Sequence, residues 1–353
     1  MTKISFKDDY SEGAHPNILQ ALNKTNLVQE NGYGMDAYCE KAIKLIRAKI
    51  DNSNIDIHFI SAGTQANLIV LSSALKPYES VISADTAYIA VYGGPIEATG
   101  HKINTVLTEN RKLTPEDVKS VLDQHSDEHM VKPKIVSISN STEVGSIYNK
   151  KELTGLSDFC KQNDLFLYLD GARLGSALTS EYNDLTLSDI AKLVDAFYIG
   201  GTKNGALLGE AIVICNDNIK KDFRYNLKQK GGLLAKGRIL GIQFLELFTN
   251  DLFFDLGKHA NLMATKLSKE ISNLGYEFLT QPVSNQIFPI FQNDLIDKLS
   301  EKYGFYVWQK IDDKKSAIRL VTSWATKEEN VESFVVDLKS QRCGSELASV
   351  GGE

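Results

Sequence analysis

Apolar and polar positions follow two different periods along this chain, and the periods take turns. IDIHFI (55–60) alternates apolar and polar residues and predicts a strand. AGTQANLIVLSSAL (62–75) follows it with helical length. SVISA (80–84), KINTVLT (102–108), KIVSIS (134–139), FLYLD (166–170), AFYIG (196–200) and EAIVIC (210–215) are further short strands, several of them unbroken apolar runs. TPED (114–117) marks a helix start, with Thr114 as N-cap, Pro115 in the first position and acids in the first turn. KKELTGLSDFCKQND (150–164) has apolar residues at 153, 156, 159 and 160, which is helical spacing. Strands separated by helices of this length predict an α/β fold: a three-layer α/β/α large domain around a mostly parallel sheet. From about 216 to 275 the pattern is helical, with ILGIQFLELF (239–248) strongly apolar. QIFPIF (286–291) and AIRLVTSW (317–324) return to strands, and NVESFVVDLK (330–339) reads as a closing helix. The expected division is a large domain over 1–250 that includes the N-terminal segment 1–30, and a smaller C-terminal α+β domain over 251–345. A frayed tail is expected over 346–353.

Composition narrows the function. Lys plus Arg number 39 against 45 Asp plus Glu, a net charge of -6. That balance argues against a nucleic-acid partner, which needs a concentrated basic surface. The longest uncharged stretches, 59–75 and 278–293, carry Gln, Asn and Ser, so no membrane span is expected. MTKISFKDDYSEG lacks the apolar core of a secretory leader. Cys39, Cys160, Cys215 and Cys343 are far apart, which predicts free thiols in a cytoplasmic setting and no cysteine metal site.

Three stretches carry candidate chemistry. In YIGGTKNGALLGEAIVI (198–214), Lys203 follows an apolar strand and a Gly-Gly-Thr turn. Small neighbours leave room around its amine, and a lysine so held can lose a proton and form a Schiff base with a carbonyl. Most loop lysines are merely solvated. In LYLDGARLGSAL (167–178), Asp170 closes a strand, at the end where open α/β sheets bind ligands. Such an Asp either pairs with a protonated ring nitrogen or caps the next helix. In SAGTQAN (61–67) a strand gives way to a helix start through small residues, a phosphate site in the making. Each signal is weak alone. Together, in this order, they supply what pyridoxal phosphate needs: a phosphate anchor, a pyridinium partner and an amine.

Here the sequence resembles a known family, the threonine aldolase and β-eliminating lyase group of pyridoxal phosphate enzymes, within the aspartate aminotransferase-like fold (fold type I). LDGARLG (169–175), GGTKNGALLGEA (200–211) and LVTSW (320–324) carry the resemblance most specifically, and it runs through almost the whole chain. It implies that Lys203 is the cofactor's covalent anchor, with Thr202 beside it, and that Asp170 is the partner of the pyridine nitrogen. Gly63 and Thr64 match the phosphate cradle. Arg173 and Arg319 match the pair that holds the substrate's α-carboxylate, a task suited to planar guanidinium forks. KGGLLAKGRILG (230–241) occupies the region of a basic phosphate ligand, with Lys236 the first choice and Arg238 the alternative. Tyr33, in ENGYGMD (30–36), matches a tyrosine contributed across a dimer interface, so a homodimer or homotetramer is implied.

The chain also departs from the family pattern. Where relatives stack a histidine on the cofactor ring, SADTAYIAVYGGPIEATGHK (83–102) offers Tyr88, with Thr86 or Tyr92 as the other matches. A second family histidine falls at Glu143, and the residue that contacts substrate near the N-terminus falls at Asp8. A carboxylate beside a substrate carboxylate is unfavourable unless it is protonated or turned away. His101 follows a glycine and reads as a helix C-cap. The resemblance implies an aldolase that cleaves threonine or allo-threonine to glycine and an aldehyde, with Glu143, a water or Tyr88 as the base. The rival enzyme reading is a β-eliminating lyase acting on another amino acid; a binding protein without turnover is disfavoured by the intact Lys203, Asp170, Arg173 and Arg319 set.

Overall fold

The computed structural model describes the backbone of residues 3–92, 94–108 and 111–350, and side chains up to residue 341. A seven-stranded sheet forms its centre. In chain order its strands are β1 (Asp56–Ile60), β2 (Glu79–Ala84), β3 (Lys102–Val106), β4 (Lys132–Ser139), β5 (Phe166–Asp170), β6 (Ala196–Gly200) and β7 (Glu210–Ile214). Their spatial order is β1-β7-β6-β5-β4-β2-β3. All neighbours are parallel except at β7, which runs antiparallel to both β1 and β6. The expectation of a mostly parallel sheet therefore holds. Every residue of β2, β6 and β7 is buried, as a sheet covered on both faces requires.

Three of the helices that cover the sheet begin where short polar side chains satisfy their free first-turn N–H groups. Thr114, Asn149 and Thr186 each form a reciprocal capping box three residues ahead, with Asp117, Glu152 and Asp189. One hydrophobic cluster gathers Ile46, Val136, Leu169, Phe197 and Phe244 on one face of the sheet. A second gathers Ile69, Val81, Tyr168, Tyr198 and Ile212 on the other.

Several elements differ from the sequence expectation. Helices Pro16–Thr25 and Ala37–Ile50 precede the sheet, where no element was expected. QIFPIF splits into Gln286–Ile287 and Ile290–Gln292 around Pro289, which has no N–H to give a ladder. ILGIQFLELF lies in helix Arg238–Phe248, and most of its residues are buried within the same chain. Its apolarity is used internally, against helix Ala37–Ile50. Helix Leu252–Asn273 crosses from one core to the next: Phe253 belongs to the first cluster and Met263, Leu267 and Ile271 to a third. That third cluster also holds Phe6, and the two-residue strand Ile4–Ser5 pairs with Tyr303–Gly304. So the start of the chain, expected with the large domain, packs with the C-terminal lobe. The closing helix runs from Glu328 to Val350, further than expected. Of the tail expected to fray, 346–350 is in this helix and 351–353 lies outside the described residues.

Candidate active site

The carboxyl ends of β5 and β6 and the turn before β7 open into a cavity of about 320 Å³ lined by Thr64, Asp170, Thr202, Lys203 and Glu210 among others. A second cavity of about 550 Å³ shares Tyr10, Tyr88, Glu143, Arg173 and Lys203 with it and reaches Asp8, Tyr306, Trp308 and Arg319. The two form one site, an inner floor and an outer rim.

Asp170 is 6 % exposed. Its Oδ1 accepts the Tyr198 hydroxyl at 2.5 Å and the Ala172 N–H at 3.1 Å, and its Oδ2 accepts the Asn67 amide at 3.1 Å. The next helix starts at Leu174 with Arg173 as its N-cap, so Asp170 is not a helix cap. Three donors occupy three of the roughly four acceptor positions a carboxylate offers, leaving one for a ligand. Asn67 is itself held by the Tyr168 hydroxyl at 2.8 Å. Burial, followed by the nearness of Asp170, raises the Tyr198 phenol well above its ordinary value, so it stays a donor.

Gly63 opens helix Gly63–Ala74, and its N-cap Ala62 makes no side-chain cap. The first-turn N–H groups are therefore free to face the cavity. A Cβ on Gly63 would stand 2.9 Å from the Tyr198 hydroxyl, so only glycine lets the helix start come this close. Gly171 is equally constrained: a Cβ there would stand 1.8 Å from the Tyr198 carbonyl oxygen. These features fit a flat, nitrogen-containing ring with an anionic tail. Gly63 and Thr64 would face the tail, and Asp170 the ring nitrogen.

Lys203 sits in the turn between β6 and β7, and the Gly201 and Thr202 N–H groups both donate to the Gly209 carbonyl at 3.1 Å. The Thr202 hydroxyl accepts the Gly209 N–H at 3.0 Å, so Thr202 braces the turn that presents Lys203. Burial lowers the Lys203 amine's pKa, and Arg173 lowers it further; Asp9, Asp170 and Glu210 oppose this without reversing it. A buried amine of reduced basicity is what a nucleophilic lysine requires.

Arg173 is gripped by Asp9, Nε to Oδ2 at 2.7 Å and Nη2 to Oδ1 at 3.1 Å, and Asp9 also accepts the Asn285 amide at 2.9 Å. Burial alone would raise the Asp9 carboxyl, but the charges of Arg173 and Lys203 outweigh it and hold the group below the usual carboxylate range. Arg319 donates to the Lys7 carbonyl at 3.0 Å and to Asp8 Oδ1 at 3.1 Å. Its guanidinium lies 5.2 Å from the Tyr306 ring centre and 5.4 Å from that of Trp308. Its buried Nε has no partner among the described residues. Asp8 is thus not turned away: it is paired with the arginine expected to take the substrate's carboxylate.

Tyr88 lines both cavities, beside Tyr92, whose ring stacks on it at 5.6 Å. Its hydroxyl is 2.8 Å from Thr64 Oγ1, and its N–H donates to Glu143 Oε1 at 3.0 Å. Glu143 also accepts the Ser139 hydroxyl at 2.8 Å, and burial raises its carboxyl.

Three expected site residues stand elsewhere in the single chain. Tyr33 and Lys236 are on the surface, outside both cavities, and the Tyr33 N–H donates to the Ala235 carbonyl at 3.3 Å, so the two share one patch. Arg238, the alternative to Lys236, is committed to the carbonyls of Thr25 and Val28. His101 bonds Thr99 Oγ1 at 2.7 Å and the Lys76 carbonyl at 3.1 Å, a structural role. Sequence reasoning missed Asn67, Tyr198, Asp9 and Glu210. Only Glu210 left a trace, a charged residue opening an otherwise apolar strand seven positions after Lys203.

A family model described as beta-eliminating lyase matches residues 11–294. The low specificity L-threonine aldolase of a Pseudomonas species is 32 % identical over 342 residues, covering 95 % of this chain and 97 % of that protein. The low specificity L-threonine aldolase of Pseudomonas aeruginosa is 30 % identical, covering 95 % and 96 %. The solved structure of Leishmania major threonine aldolase matches with a TM-score of 0.94 and 47 % identity, covering 96 % of this chain and 99 % of that one. A mutant of Thermus thermophilus aspartate aminotransferase matches with a TM-score of 0.71 at 15 % identity, a likeness of fold alone.

Proposed function

The chain belongs to the beta-eliminating lyase family, a family of pyridoxal-phosphate-dependent lyases, and on that footing we propose that it cleaves a β-hydroxy-α-amino acid, threonine or allo-threonine, to glycine and an aldehyde. One observation carries this reading: Lys203, Asp170 and Arg173 meet in one cavity with a phosphate-type helix start. Bound there, pyridoxal phosphate would supply an electron sink for the pair released from the Cα–Cβ bond.

This chain's residues do the rest. Lys203 presents a desolvated amine as the covalent anchor. Asp170, held by three neutral donors with one acceptor position open, meets the ring nitrogen and holds its proton. Gly63 and Thr64 receive the phosphate. Arg173 and Arg319 take the α-carboxylate and so fix which bond at Cα stands across the ring plane. Glu143 is the base for the β-hydroxyl proton. Its burial raises its proton affinity, which suits a general base working near neutrality. Tyr88 has its hydroxyl occupied by Thr64, and its aromatic face is what it offers the cofactor.

Tyr33 and Lys236 are assigned to a partner's site in a homodimer or homotetramer. Leu27 (92 % exposed) and Met35, close to Tyr33 in sequence, are exposed and would give such a contact its apolar part. No described helix is long and apolar enough to cross a membrane, and Cys39, Cys160 and Cys215 are free thiols, which supports a cytoplasmic setting.

The test has two arms. Borohydride reduction of the loaded protein should fix the label on Lys203; a label on Lys102 or Lys236 overturns the anchor. Glycine release from threonine and allo-threonine, beside keto-acid release from cysteine-type substrates, separates aldol cleavage from β-elimination. A mass of a single 39.1 kDa chain for the fully active enzyme would refute the assembly.

A further inference from the structure

Tyr306 has no task in the reaction proposed above, yet it stands at the end of the site where a carboxylate is to be held. It opens strand Tyr306–Lys310, which pairs antiparallel with strand Lys315–Val321, and its register partner is Arg319. Opposed residues of an antiparallel pair share a face and stand about 5 Å apart. The Arg319 guanidinium accordingly lies 5.2 Å from the Tyr306 ring centre, and 5.4 Å from that of Trp308 two residues on. All three line the outer cavity. Tyr306 is 43 % exposed, so it is a wall of that cavity and not part of a core.

What Arg319 and Tyr306 already hold shows how they receive a carboxylate. Arg319 Nη2 donates to Asp8 Oδ1 at 3.1 Å, and the Tyr306 hydroxyl donates to Asp8 Oδ2 at 3.4 Å. One carboxylate thus bridges both donors, one oxygen to each. Asp8 is tethered on both sides. The Phe6 backbone donates to the Gly304 carbonyl at 2.7 Å and accepts the Val321 N–H at 2.9 Å, and Asp9 is buried on Arg173. The contact between Asp8 and Tyr306 is longer than the roughly 2.7–2.8 Å that O–H···O bonds prefer. A carboxylate that is not part of the chain has no such tether and can settle between the two donors. The hydroxyl suits the task because it adds a donor without adding charge to a rim that already holds two arginines.

We propose that Tyr306 is a substrate-binding residue whose hydroxyl takes one oxygen of the α-carboxylate as Arg319 takes the other, with Asp8 displaced from both. The proposal rests on the reading of Arg319 as a carboxylate ligand. It carries a sign that a merely structural role lacks. If Tyr306 served only to hold Asp8 on Arg319, losing its hydroxyl would loosen Asp8 and help a substrate bind. If the hydroxyl meets the substrate, losing it hinders binding. Because the hydroxyl leaves Asp8 to take the substrate, binding reads only the difference between the two bonds, and the expected loss is moderate.

The experiment uses the full chain loaded with pyridoxal phosphate and two ligands, glycine and methylamine, which differ only in the carboxylate. Binding is read as the change in cofactor absorbance, so no turnover is involved. In Tyr306→Phe, which keeps the ring that Arg319 lies on, the Kd for glycine should rise about fivefold. The Kd for methylamine should stay the same, which also shows that the variant is folded and loaded. Glycine binding that is unchanged or tighter overturns the proposal. An equal loss for both ligands overturns it too, since Tyr306 would then act on the cofactor or on the shape of the site. The same comparison in an Asp8→Asn background removes the competing charge. There Tyr306→Phe should cost glycine at least as much as before, and an effect that disappears means that Tyr306 acts through Asp8 alone, which refutes the proposal. Arg319→Gln separates the proposal from the reading beneath it, and should weaken glycine far more than methylamine. If Arg319→Gln weakens glycine and Tyr306→Phe does not, the reading of Arg319 stands and the role of Tyr306 falls. If neither variant weakens glycine, both fall.

Discussion

At the floor of the cavity, Asp170 is surrounded by neutral donors: a tyrosine hydroxyl, an asparagine amide and a backbone N–H. At the rim, the two arginines are faced by carboxylates of the N-terminal segment, Asp9 on Arg173 and Asp8 on Arg319. The floor is thus organised before anything binds, with one acceptor position open. The rim is partly self-occupied, and an incoming carboxylate must share or replace a partner that is already there. The two arginines differ in this respect too. Asp9 is fully buried and also held by Asn285, so it serves as a fixed brace, whereas Asp8 stands at the mouth of the outer cavity, where a ligand can displace it. Changes at the floor should therefore act on turnover, and changes at the rim on apparent affinity.

The largest effect is expected at the floor. Asp170→Asn keeps the shape of the site but cannot hold a proton on a ring nitrogen. Turnover should fall by about 10²–10³-fold, the scale seen when a fixed electrostatic contact to developing charge is removed. Thermal stability should change far less, since Tyr198 still finds an acceptor in the new amide. Unchanged turnover in a folded variant would remove Asp170 from its role.

Glu143 lies where floor and rim meet, and its effect should be next in size. As a base it must be ionised. Its carboxyl is raised by burial, so kcat should decline as pH falls through a value above the ordinary carboxylate range. Glu143→Gln should lose roughly 10²-fold in kcat and flatten that acid limb. If the limb survives in the variant, another group is the base, and a water held at the Ser139 end of the site is the next candidate.

How much of this was legible beforehand depends on the distance over which each feature is built. β5 and β6 show in the sequence as apolar runs, because a strand covered on both faces has no polar side. Asp170 shows because a small-residue turn follows the strand it ends, and Lys203 because it sits in such a turn. The groups that tune them do not show. Asn67 meets Asp170 across 103 positions and Asp9 meets Arg173 across 164, separations over which local pattern says nothing. The reversal of β7 is equally silent, since EAIVI reads the same in either direction across a buried sheet. The split at Pro289 was readable in principle, but the apolar run around it hid the missing donor.

Tyr88 sharpens the comparison because it belongs to both regions, through its ring and through its bond to Thr64. Tyr88→Ala loses the aromatic face and should weaken pyridoxal phosphate binding by about tenfold, measured by equilibrium titration of the cofactor-free protein. Tyr88→Phe keeps the face and gives up one neutral hydrogen bond, so it should bind several-fold better than the Ala variant and retain most of the turnover. If the Phe variant binds the cofactor normally yet loses catalysis by orders of magnitude, the hydroxyl takes part in proton transfer and the assignment to Glu143 is wrong.

The smallest effect, and the most direct test of a self-occupied rim, concerns Asp8. Asp8→Asn keeps size and a hydrogen-bonding oxygen while removing the charge that competes for Arg319. An ion pair at a partly open mouth is worth up to about 1 kcal/mol, so KM for the amino-acid substrate should fall roughly fivefold with kcat little changed. The direction separates two accounts. If Asp8 merely occupies the guanidinium until substrate arrives, removing its charge helps binding. If instead Asp8 turns to hold the substrate's hydroxyl or amine once it is displaced, the same change should raise KM, and kcat with it should fall. Arg319→Lys supplies the control, because a lysine cannot lie flat between Tyr306 and Trp308 and offers a point charge in place of a fork. In that background the benefit of Asp8→Asn should largely vanish, since the two residues act through one contact. Full additivity of the two substitutions would show that Asp8 affects substrate by some route other than Arg319.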